Sequence, residues 1–288
     1  MTQRFLSLLL LGLSGLICQT AAAADPPARP NLILINIDDL GYADIGPYGS
    51  TWHRTPNLDR MAKEGRRLTS HYAAPVCSPS RAALMTGCYP KRVLPIPGVL
   101  FPAGAVGLNP NERTVAEVLK DAGYATGCIG KWHLGDQPEF LPTRQGFDYY
   151  YGLPYSNDMG TIADGSKSNP GQPLPNPKAK AKGKSQEDDE TGLKGFGQPP
   201  LPLVENERVI ERVRVDGQTT IVKRYTEKAV QFIREHKQGP FFLYLPHTAV
   251  HFPHYPGMEF RGKSKNGLLG DWVEEMDWSI GQVLDTVR

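Results

Sequence analysis

The chain has 288 residues, with 32 Lys and Arg against 30 Asp and Glu, for a formal net charge of only +2. That balance gives no global field to recruit nucleic acid. Past residue 24, no segment of the sequence approaches the roughly 20 consecutive apolar residues that a membrane-spanning helix needs. The length allows one large core or two small ones.

Residues 1–24 read as a secretory signal peptide: one positive charge over 1–4, an apolar run over 5–17 and an A-x-A cleavage site at 21–24. The apolar run is too short for a comfortable span, and Gly15-Leu16-Ile17 ahead of Cys18 fits a lipoprotein signal poorly. The expectation is an exported protein, periplasmic or secreted, whose mature part is residues 25–288. Cys77, Cys88 and Cys128 remain after cleavage, an odd number for an oxidising compartment.

Residues 31–37 (NLILINI) are apolar and β-branched, which predicts a fully buried strand of a parallel sheet. A helix is expected over 55–65, with Leu58, Met61 and Ala62 on one face. In 77–87 (CSPSRAALMTG), Ser78 suits an N-cap, Pro79 the first helical position and Gly87 the stop. This places Cys77 just ahead of a helix N-terminus, where free N–H groups favour an anion, with Arg81 one turn in and able to fold back over it. Thr114 and Glu117 form a capping box for a helix that Gly123 stops, and 124–130 is the next strand.

Residues 166–202 are rich in Pro, Gly and Lys; Lys178, Lys180, Lys182 and Lys184 precede Glu187-Asp188-Asp189-Glu190. Such a stretch buries little and reads as a disordered or loosely ordered insertion, with a solvated linker favoured over a contact of its lysines with a polyanion. Residues 207–222 alternate around Asp216-Gly217, a hairpin signal. An amphipathic helix over 224–237 (Ala229, Val230, Ile233) ends at Gly239-Pro240, and 241–245 (FFLYL) follows as a buried strand. Strands alternating with helices predict an α/β fold with a mostly parallel sheet. At the end, Leu269, Trp272, Val273, Met276, Ile280, Val283, Leu284 and Val287 fall at helical spacing up to the penultimate residue, with no stop signal after them. The expectation is a chain that ends inside a helix, an incomplete protein with little or no activity on its own.

Candidate chemistry gathers where strands end, which is where sites form in open α/β sheets. Asp38 and Asp39 follow the first strand. Adjacent carboxylates on a strand point to opposite faces, so both reach one ion only if the strand has ended, as Gly41 allows. Their hard oxygens suit Ca²⁺ or Mg²⁺. Lys131 and His133, alternate residues after the second strand, offer a fixed cation and an imidazole on one face, suited to binding an oxyanion and moving protons. His251 follows FFLYL, with His247 and His254 close by. Ser156 lies in Tyr155-Ser156-Asn157-Asp158. His53, His71 and His236 have no motif around them, and packing roles are expected.

The run Cys77-x-Pro79-Ser80-Arg81 through Thr86-Gly87 fills C-x-P-S-R-x-x-x-x-T-G, and residues 130–135 read G-K-W-H-L-G. Together with the Asp38-Asp39 strand end, these resemble the sulfatase family of sulfuric ester hydrolases across most of 30–288. The resemblance implies an alkaline-phosphatase-like α/β fold. It also implies that a formylglycine-generating maturation enzyme oxidises Cys77 to formylglycine, whose hydrate is the nucleophile. By the same resemblance Asp38, Asp39 and residue 77 bind a divalent metal, Ca²⁺ or else Mg²⁺, and Arg81 helps hold the nucleophilic oxygen anionic. Lys131 contacts the sulfate and His133 acts on the formylglycine hydroxyl. His251 binds sulfate and protonates the leaving oxygen, and Ser156 hydrogen-bonds the substrate. Converting Cys77 repairs the cysteine parity and leaves Cys88 and Cys128 as a candidate disulfide. The implied substrate is a sulfated small molecule or glycan. Phosphonate or phosphodiester hydrolysis on the same scaffold is the alternative enzyme, and a non-catalytic fragment that binds sulfated glycans the alternative class. Sulfatases usually continue with a strand bearing an Asp-Asn metal pair, a further lysine and a smaller C-terminal domain, none of which has a counterpart here.

Overall fold

The computed structural model describes residues 29–173 and 198–288. The expected signal peptide over 1–24 and the lysine and acidic runs of 178–190 lie outside the described residues. Among the described residues, one sheet holds six strands: β1 (Leu32–Ile37), β2 (Ala125–Ile129), β3 (Tyr149–Gly152), β4 (Pro202–Glu205), β5 (Arg208–Arg212) and β6 (Phe241–His247). Their order is β1-β6-β2-β3-β4-β5. The first four are parallel, and β4 and β5 add on as an antiparallel hairpin.

Strand β6, paired on both sides by β1 and β2, is buried along its whole length. Its alternation divides the core in two, because successive side chains of a strand point to opposite faces. Phe241, Leu243 and Leu245 pack on one side with Tyr225, Phe232, Trp272 and Met276. Those partners come from two long helices, α5 (Val215–Glu235) and α6 (Gly267–Val287). Phe242 and Tyr244 pack on the other side with Ala82, Met85 and Ala116. That layer is built by α2 (Cys77–Thr86) and α4 (Val115–Asp121), with the single turn α3 (Pro90–Val93) against α2, while α1 (Pro56–Glu64) docks on α6. No helix of the described residues is long and apolar enough to cross a membrane.

The Thr114–Glu117 capping box forms as expected, and Gly87 and Gly123 take the left-handed φ that ends their helices. Other expectations are corrected. Asp216-Gly217 is no hairpin turn: it lies in the first turn of α5. The stripe Gln218, Ile221, Val222, Tyr225 and Ala229 buries one helix face, which outweighs a two-residue turn signal. The hairpin turns instead at Asn206-Glu207, where Asn206 adopts φ +56, a conformation Asn tolerates better than most residues.

Ser78 does not cap α2. Val76 is the N-cap, so Cys77 is the first helical residue, and the Ser78 hydroxyl accepts the N–H of Leu100 at 3.1 Å. Met61 faces solvent, so the helix over 56–64 docks elsewhere. The Asp277 carboxylate on α6 accepts the N–H groups of Asn57 and Leu58 at the α1 N-terminus, satisfying donors a helix start leaves open. Trp272, Val273, Met276, Ile280 and Val283 form the predicted buried stripe of α6, while Val287 is exposed. Cys88 and Cys128 are both free thiols, Cys128 sealed in the core, so the candidate disulfide is absent. Ser166 and Leu201, near the ends of the expected loose insertion, are buried.

Candidate active site

The backbone ladder between β1 and β6 runs one step past the strands: Asp38 N–H donates to Ala249 O at 2.9 Å, and Val250 N–H to Asp38 O at 2.7 Å. Asp38 is thereby fixed and its side chain faces inward, almost fully buried. Asp39 then takes φ +60, which ends the strand as the paired-carboxylate reading required. Its carboxylate is 62% exposed and lies 3.8 Å from His251 Nε2.

Lys131 and His133 leave the end of β2 through Gly130, whose φ of +136 and close approach to Pro246 only glycine accommodates. A Cβ there would sit 1.9 Å from Pro246 O. The Lys131 ammonium is fully buried. It donates to Asp38 Oδ2 in an ion pair, to Ser156 Oγ at 3.0 Å and toward Cys77 Sγ at 3.4 Å. Arg81, also buried, donates to the Lys131 carbonyl and sets Nη2 3.3 Å from Asp38 Oδ1. Burial alone would raise the Asp38 carboxyl. Lys131 and Arg81 outweigh it and hold the group well below the usual carboxylate range.

Cys77 Sγ, at the first residue of α2, lies 3.7 Å from Asp38 Oδ2. Burial pushes the thiol up, with Lys131 opposing, so it stays protonated and is a weak nucleophile as it stands. One ligand atom each from Asp38, Cys77 and His251 lies within 4.8 Å of the others. An open cleft along β1 is lined by Asn36, Asp38, Asp39, Cys77 and Arg81.

His251 hydrogen-bonds Phe252 O through Nδ1 at 2.5 Å, with Ser156 Oγ 3.5 Å from the same nitrogen. A carbonyl only accepts, so Nδ1 carries the hydrogen and Nε2 is left to face the cavity side with Asp39. His133 is fully enclosed. Its Nε2 donates to Leu100 O at 2.9 Å, and Nδ1 has no partner among the described residues. Burial, reinforced by Lys131 and Arg81, depresses its pKa well below the ordinary value, so the ring is neutral with a free lone pair on Nδ1.

The structure thus brings Asp38, Cys77, Arg81, Lys131, Ser156 and His251 into one cluster, with Asp39 at its rim and His133 beside it. His247 and His254 do not join. The first bonds Ser279 Oγ in the α5–α6 core layer, and the second packs its ring near Phe252 and Trp272. His53 and His236 bond the Asp44 and Phe232 carbonyls, the packing roles expected of them. Sequence reasoning missed Leu100: its N–H is held by Ser78 and its carbonyl fixes the His133 tautomer, a backbone role that leaves no side-chain signature.

The Sulfatase family model matches residues 30–288. Arylsulfatase A of Bos taurus is 38% identical over 275 residues, covering 92% of this chain and 49% of that protein. The steryl-sulfatase of Homo sapiens is 36% identical over 314 residues, covering 92% and 52%. Among solved structures, the PsFucS1 sulfatase from Pseudoalteromonas sp. superposes with a TM-score of 0.73 at 30% identity, over 90% of this chain and 52% of that one. Ps i-CgsB in complex with k-i-k-neocarrahexaose gives 0.70 at 32%, over 90% and 55%. The chain spans about half the length of the curated relatives it matches. The fold is therefore the alkaline-phosphatase-like α/β fold, and with its motif residues converging at the ends of the parallel strands, the chain belongs to the sulfatase family.

Proposed function

We propose that the protein hydrolyses sulfate esters, with residue 77 as the nucleophile after oxidation of Cys77 to formylglycine by an export-pathway maturation enzyme. The observation that carries this reading is the position of Cys77 Sγ, 3.4 Å from the buried Lys131 ammonium and within 4.8 Å of the Asp38 and His251 ligand atoms. The protonated thiol fits a side chain that needs conversion before it can act. A signal peptide over 1–24 directs the protein to the periplasm or outside, and a sulfated glycan is the favoured substrate class, as Ps i-CgsB has been solved with k-i-k-neocarrahexaose.

In this structure the Cys77 thiol stands in for the hydrate oxygens. A hydrated formylglycine there supplies one oxygen to attack sulfur and a second hydroxyl whose deprotonation releases sulfate, which a plain serine cannot do. With oxygen at 77, the donor set becomes Asp38, Asp39 and residue 77, hard ligands that suit Ca²⁺ or Mg²⁺, and the ionised state of Asp38 fits that role. Such a cation supplies positive charge that lowers the pKa of an attached oxygen and polarises the sulfuryl group.

The chain's own residues do the rest. Lys131, held by Asp38, Ser156 and a buried setting, puts a fixed positive charge against the sulfuryl oxygens, where it is worth more than in water. Arg81 keeps Lys131 and Asp38 in register through its hydrogen bond to the Lys131 carbonyl and its ion pair with Asp38. His251, its Nδ1–H committed to Phe252 O, acts as an acid only when Nε2 carries a second proton, which the Asp39 carboxylate 3.8 Å away favours, and it gives that proton to the departing alcohol. His133, neutral and with Nδ1 unprotonated, receives the proton lost at residue 77. Ser156 bridges Lys131 and His251 and orients the ester.

The test is protein coexpressed with a competent maturation enzyme. Its peptide containing residue 77 should be about 18 Da lighter than the cysteine form, from exchange of a thiol for an aldehyde. In a chain extended to its relatives' length, an aryl sulfate should be turned over, and Cys77→Ala should lower that turnover at least ~10³-fold. Asp38→Asn and Asp39→Asn should each weaken calcium binding in calorimetric titration. An unmodified thiol under these conditions, or full turnover by Cys77→Ala, would overturn the proposal; faster turnover of a phosphonate monoester or phosphodiester would reassign the ester class.

A further inference from the structure

A second pocket opens between the first turns of α5 and the middle of α6, closed on one side by residues 257–260. Its lining includes Thr219, Thr220, Lys223, Phe260, Glu275 and Trp278. None of these belongs to the cluster around Cys77. The floor is the Glu275 carboxyl, in a residue only 1% exposed. Its Oε2 accepts the Gly257 N–H at 2.8 Å, and Oε1 makes no hydrogen bond among the described residues. Burial, with Glu259 nearby, pushes this carboxyl up to about 8, so it is protonated at neutral pH. Since Oε2 is the acceptor, Oε1 carries the proton and offers a donor to the pocket.

The wall is aromatic: the Phe260 and Trp278 rings lie 5.7 Å apart at 52°. Thr219 and Thr220 donate their hydroxyl hydrogens to the Asp216 and Gly217 carbonyls, which leaves oxygen lone pairs as acceptors. At the rim Lys223 and Glu259 stand 3.7 Å apart and cancel in charge. An aromatic wall, one neutral donor, two hydroxyl acceptors and no net charge do not suit an anion. They do suit a ring with an apolar C–H face and equatorial hydroxyls.

The pocket also lies on the catalytic side. α5 ends shortly before β6 begins, so it runs antiparallel to β6 and its first turns lie beside the strand's C-terminal end. Gly257 follows His251 by six residues, a span of at most about 20 Å even when fully extended.

We propose that this pocket is a secondary subsite for an uncharged sugar ring of a glycan whose sulfated residue occupies the site at Cys77. The proposal rests on the sulfate-ester reading given above. It predicts that polymer substrates are gripped at two points and small esters at one.

The experiment has two arms on the full chain. In a Cys77→Ala background, a desulfated oligosaccharide is titrated by calorimetry; Trp278→Ala and Glu275→Leu should each weaken binding about tenfold, and Glu275→Gln, which keeps a donor and an acceptor, should weaken it far less. In the matured enzyme, Trp278→Ala should raise KM for a sulfated oligosaccharide about tenfold while kcat and aryl-sulfate turnover stay unchanged. Thermal melts establish that each variant is folded. Equal binding by wild type and Trp278→Ala, or no saturable binding by wild type, overturns the subsite. Absent aryl-sulfate turnover in wild type overturns the sulfate-ester reading alone, because the binding arm requires no catalysis.

Discussion

The two halves of the sheet meet at β3 and could hardly differ more in what they carry. In the parallel half, each strand's C-terminal end delivers a member of the cluster: Asp38 after β1, Lys131 and His133 after β2, Ser156 after β3 and His251 after β6. In the antiparallel half, β4 and β5 carry none, and Val209 and Ile210 on β5 face solvent. Direction explains the difference. Parallel strands put all their C-terminal ends on one side, so segments far apart in sequence converge there. A hairpin sends its second strand away again. The parallel half is therefore predicted to be intolerant of change and the hairpin to be a tolerant edge.

The sharpest way to break that contrast is at Lys131. It is fully buried and shares Asp38 with Arg81, so Lys131→Met leaves an ionised carboxylate with one cation in place of two. Removing one partner of a buried pair costs about 3–5 kcal/mol, mostly from the charge left behind. Urea unfolding with a chelator present should show a loss of that size, and aryl-sulfate turnover should fall roughly 10²–10³-fold as the fixed charge disappears. Adding Asp38→Asn should recover much of the stability and none of the turnover. A loss below about 1 kcal/mol in the single variant would mean that the cluster is far better solvated than its burial indicates.

Why so much of this site was legible follows from how its residues are specified. Asp38, Cys77, Arg81, Lys131 and His251 each sit at a fixed short offset from a strand end or helix start, but only the resemblance to the sulfatase family turns those offsets into site residues. Buried parallel strands such as β6 write near-continuous apolar runs, and these were found within two residues. What was misread had competing local signals settled by distant contacts. Asp216-Gly217 has turn chemistry, but the stripe at Ile221, Val222 and Tyr225 packs against α6 and β6 and makes it helical. Ser78 has cap chemistry, but Leu100, twenty-two residues on, claims its hydroxyl. Leu100 and the pocket floor at Glu275 were invisible because tertiary packing alone gives them a role.

A smaller effect separates the halves through pH. His247 ends β6, fully buried, and burial brings its pKa down to about 3. The unfolded chain holds this proton with a pKa near 6.5, so below that pH protonation favours unfolding. The stability that neutral His247 contributes is present above pH ~6.5 and is lost as pH falls toward 3, at up to about 1.4 kcal/mol per pH unit. Asp38 acts in the same sense lower down: its depressed carboxyl contributes stability above pH ~3.9 that fades with further acidification. His247→Gln should cost stability at pH 7, where the bond to Ser279 is disturbed, and flatten the decline between pH 6.5 and 4. Denaturation midpoints at three pH values measure this; parallel declines in variant and wild type would show that His247 is solvated in the native state.

The smallest effect is expected on β5. Val209 is 67% exposed, and its partner across the hairpin is Val204. Val209→Thr keeps the branched Cβ that favours an extended backbone and replaces a methyl that is largely in water already. Neither cavity nor unsatisfied polar group results, so stability should change by no more than about 0.5 kcal/mol, the range for surface sites. Turnover of an aryl sulfate should not change, because β5 is the last strand of the sheet and touches none of the clustered residues. By contrast Leu243→Ala on β6, an interior strand of the same sheet, should cost about 2–5 kcal/mol through the cavity it leaves. The pair measured together makes the comparison quantitative. If Val209→Thr lowered turnover while leaving the unfolding midpoint in place, the hairpin would be coupled to the site at Cys77, and strand direction alone would no longer account for where the chemistry lies.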